Sequence, residues 1–495
     1  MAVKRNQLSK STLIRSIQCP KSLYLYKNHY ELRDTISASQ QQIFERGIRV
    51  GKLAQDLFPG GKDVSPPNPY SYDASIAATK ALVLQQHHVI YEASFKYHGI
   101  MAALDILVCR NGKWYAYEVK SSMRISHTYL LDCAIQYHII TGSGLPLEDF
   151  RIIHVNSDYV KNGEVEIVKL FTEKSVLEDI LGLLPYVRER IEIAADVLSM
   201  EQIPEMPIGV HCTKPYACDF QGYCWKNVPP NSVWYLPGIS MQEKSSYFEK
   251  GITTIDELRI SDVHMERNKI VLETYKSKRA HIHHKELNNF FSKLNYPLYF
   301  FDLEAFQPVI PLFDGTRPFE RIPFLYSLHY MAAENSIPEH IYHIAVPEED
   351  PRELFIQKFL DHTERPGHIL VFNTLMEKSI LNKLSEIYPH YRAELLDRIS
   401  RITDLEIPFK NMWYYHPDMG GSFSLKSISK AMLFHDPFDD SEVKDGETAM
   451  AMYNELFYER DYDKRAAVLR RLVQYCKADT LALVEIFQKI RELSR

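Results

Sequence analysis

The sequence has no long hydrophobic run. Nowhere does it approach the roughly 18 uncharged apolar residues of a membrane-spanning helix. Its opening, MAVKRNQLSKSTLIRS, lacks the apolar centre of a secretory signal. Both absences predict a cytoplasmic protein with no membrane partner. Cysteine is scarce and odd in number, seven in 495 residues, which argues against a disulfide framework and leaves reduced thiols or metal ligands. An excess of positive charge is missing too. The net charge is −6, so overall charge does not advertise a nucleic-acid binder. Internal repeats and low-complexity tracts are absent, which sets aside repeat architectures.

What is present describes a soluble globular chain, 45% hydrophobic and 25% charged, too long for one core and expected to form two or more domains. Positive charge is concentrated at the start, where Lys4, Arg5, Lys10, Arg15, Lys21, Lys27 and Arg33 face Glu31 alone. A solvated helix face is the first reading of that strip, and a phosphate-binding strip the second. The pattern is helical to about residue 58, then PGGKDVSPPNPYSYD reads as an exposed loop. SIAATKALVLQQ predicts a helix and HVIYEASFKY a strand. HTYLLDCAIQYHIITGSG predicts a helix ending at Gly142, FRIIHVNSDYV a strand, and SVLEDILGLLPYVRERIEIAADVL a long helix. Residues 229–292 read as short helices forming a linker, with LPGISMQEKSSYFEKGITTIDELRIS faintly resembling a helix-hairpin-helix. From Tyr296 an αβ pattern restarts with YPLYFFDLEAF.

LDILVCRNGKWYAYEVKSS predicts a hairpin turning at Asn111-Gly112, the strongest short-range signal for a two-residue type I′ turn. Its register places Asp105 opposite Glu118, with Lys120 on the face of Glu118. Facing carboxylates repel, and a divalent cation between them would relieve that repulsion. HCTKPYACDFQGYCW spaces Cys212, Cys218 and Cys224 at six-residue steps without a Cys-x-x-Cys knuckle. Cys19 is the candidate fourth ligand of a [4Fe–4S] cluster; a structural zinc, with His211 contributing, is the rival. Cys109, Cys133 and Cys476 read as ordinary buried thiols.

One early cysteine, an Asp…Glu-x-Lys sheet and three clustered cysteines together resemble the iron–sulfur branch of RecB-like nucleases, over roughly residues 8–226. The resemblance implies a cluster that clasps the ends of a PD-(D/E)xK domain, and Mg²⁺ or Mn²⁺ held by Asp105 and Glu118. It implies that Lys120 orients a water or neutralises developing charge. Glu92 is a further ligand or a neighbour of the ligands, and Gln136 and Tyr137 match the Gln/Tyr helix of that family. The family's upstream His has no counterpart; Ala54 and Gln55 stand there.

In LYFFDLEAF, Asp302 and Glu304 share one face at the end of an apolar strand, costly unless paired or metal-bound. Asn373 and Glu377 follow the strand in HILVFNTLMEKSILNKL, RITDLEI presents Asp404, and Tyr475 and Asp479 sit one turn apart in RLVQYCKADTLALVEI. This order resembles the DEDD exonuclease superfamily, whose fold is RNase-H-like, and the tyrosine resembles its DEDDy branch. The resemblance implies two metal ions held by Asp302, Glu304, Glu377 and Asp479, with Tyr475 positioning the water. Glu377 stands where the superfamily usually has Asp. PLFDGTRPFERIPF adds Arg317 and Arg321, read as phosphate contacts or as a loop packing on its own domain.

Nearly the whole chain resembles a bacterial family of uncharacterised predicted nucleases that joins these two parts. The expected fold class is α/β, with a PD-(D/E)xK restriction-endonuclease-like domain and cluster clasp over residues 1–228, the helical linker over 229–292, and an RNase-H-like domain over 293–495. The expected function is a metal-dependent nuclease acting on DNA in preference to RNA, on single-stranded ends, with a nucleic-acid-binding scaffold as the alternative.

Overall fold

The computed structural model describes residues 8–66, 72–236, 239–433, 435–438 and 442–495, without the side chains of Ala38 and Ser39. Lys4 and Arg5 of the basic strip, and Pro237 and Gly238 of the segment compared with a helix-hairpin-helix, lie outside the described residues. The chain divides into two compact units. One comprises residues up to Asn227 together with Pro308–Phe319; the other comprises Val228–Gln307 and Glu320–Arg495. Each is mixed α/β. No helix among the described residues is long and apolar enough to cross a membrane.

The first unit holds a seven-stranded sheet: β1 (Leu8–Ser9), β2 (Lys62–Asp63), β3 (Val89–Tyr97), β4 (Ile100–Arg110), β5 (Lys113–Lys120), β6 (Leu147–Val155) and β7 (Phe171–Ser175). The order is β2-β3-β4-β5-β6-β7, with β1 attached to β4. The β3–β4–β5 meander is antiparallel, and β6 joins β5 in parallel. Asn111 and Gly112 both have positive φ, 51° and 75°, and Arg110 pairs Lys113, as the turn chemistry requires. The helices His127–Gly142 and Leu177–Ser199 cover one face, where Leu131, Ile135 and Ile180 pack with Leu104, Ala116 and Ile152. Val50, Ala54 and Phe58 cover the other, against Ile106, Tyr117 and Ile153.

The second unit holds β8 (His281–Ile282), β9 (Leu298–Phe306), β10 (Ile322–Met331), β11 (Glu339–Ile344), β12 (His368–Val371), β13 (Ile402–Asp404) and β14 (Tyr414–Tyr415). Five of these form a sheet in the order β11-β10-β9-β12-β13, while β8 pairs with β14. The first three strands are antiparallel, and β12 and β13 continue in parallel. β9 is buried on both faces. Tyr299, Phe301 and Leu303 enter one core with Tyr326 and Phe355. Leu298 and Phe300 enter another with Phe487 and Ile490 of the C-terminal helix Tyr462–Ser494. Strand alternation then sets Asp302 and Glu304 on the Phe300 face, toward that helix.

Two segments are placed differently from the expected boundaries. Val233, Leu236, Leu272 and Leu287, from the stretch read as a linker, share the core of Phe300 and Phe487, because their apolar side chains find burial there. Pro308–Phe319 belongs to the first unit. The Lys161 backbone N–H donates to the Thr316 carbonyl at 3.0 Å, Gly315 N–H donates to the Lys161 carbonyl at 2.8 Å, and the Lys161 ammonium pairs with Asp314 at 2.8 Å. Arg317 therefore lies in the first unit, and exposed Arg321 in the second.

Gly367, just before β12, has no room for a side chain: a Cβ would lie 2.0 Å from the Pro297 carbonyl oxygen. Gly367→Ala is expected to push β12 off β9 and destabilise the protein by about 1–3 kcal/mol, measured as a lower urea midpoint.

Candidate functional site

In the first unit, the hairpin register runs from Arg110↔Lys113 to Ile106↔Tyr117, one step short of Asp105 and Glu118. On the other side of β4, Tyr91 pairs Ile106 and Ala93 pairs Leu104, leaving Glu92 and Asp105 between them. Glu92, Asp105 and Glu118 thus form one row across three strands. The ladder is irregular along that row. Glu92 has a φ of 56°, a left-handed conformation that costs a non-glycine residue roughly 1–2 kcal/mol. Asp105 Oδ2 accepts from the Val119 backbone N–H at 2.6 Å.

The expected repulsion between Asp105 and Glu118 is met in a way the sequence did not suggest. Glu118 Oε1 accepts from Lys120 Nζ at 2.8 Å and from Lys10 Nζ at 2.9 Å. Both ammonium groups also reach Asp132 Oδ2, at 2.6 Å and 3.3 Å. Burial opposes the charge on Glu118, but the two lysines overcome it and hold its carboxyl well below the usual range. Burial and then Glu118 push Asp105 well up; burial, with Glu118 and Asp63, pushes Glu92 up to about 7. Glu118 Oε2 is buried without a partner, as are both amide atoms of Gln136, which is 0% exposed. Asp132 and Gln136 are one turn apart on the helix His127–Gly142. Ala54 is buried and carries no titratable group, so the position of the absent His is filled by packing.

Four of the described residues of the basic strip are paired or buried, not spread on a solvated face. Lys10 is held as described, Arg15 and Arg33 both pair with Asp219 at 2.7 Å and 2.8 Å, and Lys27 is buried. Cys19, Cys212, Cys218 and Cys224 line one cavity with His211, Ser22 and Phe220. All are free thiols, and burial pushes Cys19 up to about 11.

In the second unit, Asp302, Glu304 and Asp479 bring carboxylate oxygens within 4.8 Å of one another. Tyr475 hydrogen-bonds to Asp479 from one turn earlier in the long helix. Glu377 lies in the first turn of the helix Leu375–Ile387, with Oε2 buried and unpartnered. Asn373, at a φ of 68°, turns the chain from β12 toward that helix. Its N–H donates to Asp404 Oδ1 at 3.0 Å, and Glu406 N–H donates to the same atom at 2.9 Å. Asp404 therefore braces the loop.

Burial dominates this centre, with the charge of neighbouring acids second. Burial and Glu377 raise Asp302 to about 7; burial and Asp404 raise Glu377 to about 7. Burial, then Asp302 and Asp479, push Glu304 well up, and burial with Asp302 does the same to Asp479. Cys476, read as an ordinary thiol, is fully buried but touches the site: its S–H donates to Asp302 Oδ2 at 3.4 Å. Lys426 Nζ lies 5.7 Å from the centre of the Tyr475 ring, and its charge opposes the rise in Asp479.

Sequence reasoning missed Lys10, Asp132, Lys426 and the role of Cys476. Asp132 had a signal, its four-residue spacing from Gln136. Lys10 had none, being 108 residues from Glu118.

One family matches: residues 299–424 fit the domain of unknown function DUF2779, which covers β9, β10, Asn373, Glu377 and Asp404. No curated protein and no solved structure matches the chain.

Proposed function

We propose that the chain is a metal-dependent nuclease whose principal centre is Asp302, Glu304, Glu377 and Asp479. The observation that carries this reading is the convergence of three carboxylates within 4.8 Å. Buried acids that close either keep protons or share cations. An all-oxygen donor set suits Mg²⁺ or Mn²⁺, which would polarise a scissile phosphate and lower the pKa of the attacking water. Tyr475 is tied to Asp479, and burial pushes its pKa upward. Its hydroxyl therefore stays protonated at neutral pH and orients the water. Three antiparallel strands continuing into two parallel ones, with Asp302 and Glu304 on the central strand just beyond its last pairing with β12, support the RNase-H-like DEDD reading.

Asp105, Glu118 and Lys120 on adjacent strands support a second, PD-(D/E)xK centre. The cavity that gathers all four candidate cysteines supports a metal centre, read as a [4Fe–4S] cluster with a structural zinc as its rival. Iron and acid-labile sulfide analysis tests this; a colourless protein with zinc and no iron would overturn it. DNA ends as the substrate rest on the family resemblance.

The test is incubation of purified protein with labelled single- and double-stranded DNA and RNA in Mn²⁺. Shortening of DNA from its ends is expected. Binding without cleavage would sink the enzyme reading and favour a nucleic-acid-binding scaffold. For the first centre that second reading has its own support, since Lys10 already occupies Glu118.

A further inference from the structure

The two acidic centres carry the same number of carboxylates but different numbers of cations. Around the first stand Glu92, Asp105, Glu118 and Asp132, countered by Lys10 and Lys120. Both ammonium groups bind within 3.3 Å of both Glu118 and Asp132. With all four acids ionised, as ligation of a cation would require, two lysines leave two negative charges, the charge of one divalent ion. In the second centre, the cation beside the four acids among the described residues is Lys426 at the margin, whose ammonium hydrogen-bonds to the Lys444 carbonyl.

The geometry agrees with the charge count. Asp302, Glu304 and Asp479 gather three ligand atoms within 4.8 Å, and among the described residues no trio in the first centre does so. Both lysines occupy the same oxygen, Glu118 Oε1. The other, Oε2, is buried and unpartnered, as is the Gln136 amide one turn beyond Asp132. Buried polar atoms left this way normally bind something. One ligand place is therefore open at Glu118 and one is filled by ammonium groups.

Lys10 is placed deliberately. It is the first residue of the helix Lys10–Gln18, whose N-terminus is fixed by the Ser9 capping box and by pairing of β1 with Ile100 and Met101 of β4. The helix ends at Cys19, in the cysteine cavity.

We propose that Lys10 is a resident cation of the first centre, standing where a second divalent ion would otherwise stand, so that this centre takes one ion. The proposal rests on the reading of Asp105 and Glu118 as ligands and adds the ion count and the role of Lys10. Lys10 is a positioning residue: it holds Glu118 Oε1 and sets the local charge without reaching the reacting atoms.

The sign of one substitution separates this role from a structural one. Removing a positive charge beside the site strengthens attraction for Mn²⁺, whereas damage to the fold weakens it. The experiment is calorimetric and electron-paramagnetic-resonance titration of the full chain with Mn²⁺, in an Asp302→Asn/Asp479→Asn background that disables the second centre. One ion per chain is expected, lost in Glu118→Gln. Lys10→Met should bind Mn²⁺ about tenfold more tightly or admit a second ion, Lys10→Arg should resemble the parent, and Asp132→Asn should bind more weakly. Two ions in the background protein, or unchanged or weaker binding in Lys10→Met with an unaltered circular dichroism spectrum, would overturn the proposal. If the background protein binds no Mn²⁺, the reading of Asp105 and Glu118 as ligands falls, and the proposal with it.

Discussion

Asp302→Asn is expected to lower Mn²⁺-dependent cleavage of DNA ends by at least about 10²–10³-fold while making the metal-free protein more stable at pH 8. The two effects have one cause. Asp302 lies within reach of Glu304 and Asp479, and burial with the charge of Glu377 raises it to about 7. Asparagine keeps an oxygen that can accept from the Cys476 thiol but removes the charge the other three acids repel. A gain of about 1 kcal/mol or more is the usual size when a strained functional group is neutralised. A urea titration beside the cleavage assay checks both. Retained cleavage in this variant, with loss in Lys120→Ala, would move the activity to the first centre.

The second large effect is the response to pH. Asp302 and Glu377 titrate near 7 when folded, and Glu304 and Asp479 are raised as well, whereas unfolded carboxyls titrate near 4. Between those values the folded chain holds protons that the unfolded chain has released. Stability of metal-free protein should therefore fall as pH rises from about 4 toward 7. Glu92, raised to about 7, adds to the same trend. Glu118 acts in the opposite sense, since its folded value is depressed. Its contribution is complete above about pH 5 and is lost only in stronger acid. Divalent ions replace the protons, so Mn²⁺ should stabilise far more at pH 8 than at pH 5.5. At a hundredfold excess over Kd, each ion contributes about 2.7 kcal/mol. Thermal melts of EDTA-treated protein at both pH values, with and without Mn²⁺, measure this. Metal-free stability that rises from pH 5.5 to 8 would contradict it.

Local chemistry carried much of the fold into the sequence. Asn-Gly at 111–112 set the hairpin register, and the helix stop at Gly142 and the apolar run of β9 were legible from composition and period. The carboxylates and cysteines were legible because few other patterns place such groups at those spacings. What stayed hidden was non-local. Lys10 meets Glu118 only after β1 docks on β4, and nothing near residue 10 encodes that pairing. Glu92 was legible beside the ligands, but its left-handed backbone was not, and it accompanies the irregular ladder around it. The short helices after residue 228 read as a linker because each lacks a strong period. Their apolar side chains pack in one core with β9 all the same.

The segment Pro308–Phe319 bears on how such a chain can be inherited. A coding sequence stopped at the apparent boundary, after Asn227, would omit Val309 from the packing around Tyr117 and Ile153. It would also omit the Asp314, Gly315 and Thr316 partners of Lys161. Gene fission or domain shuffling at that junction would therefore leave the first unit without a segment it packs and hydrogen-bonds.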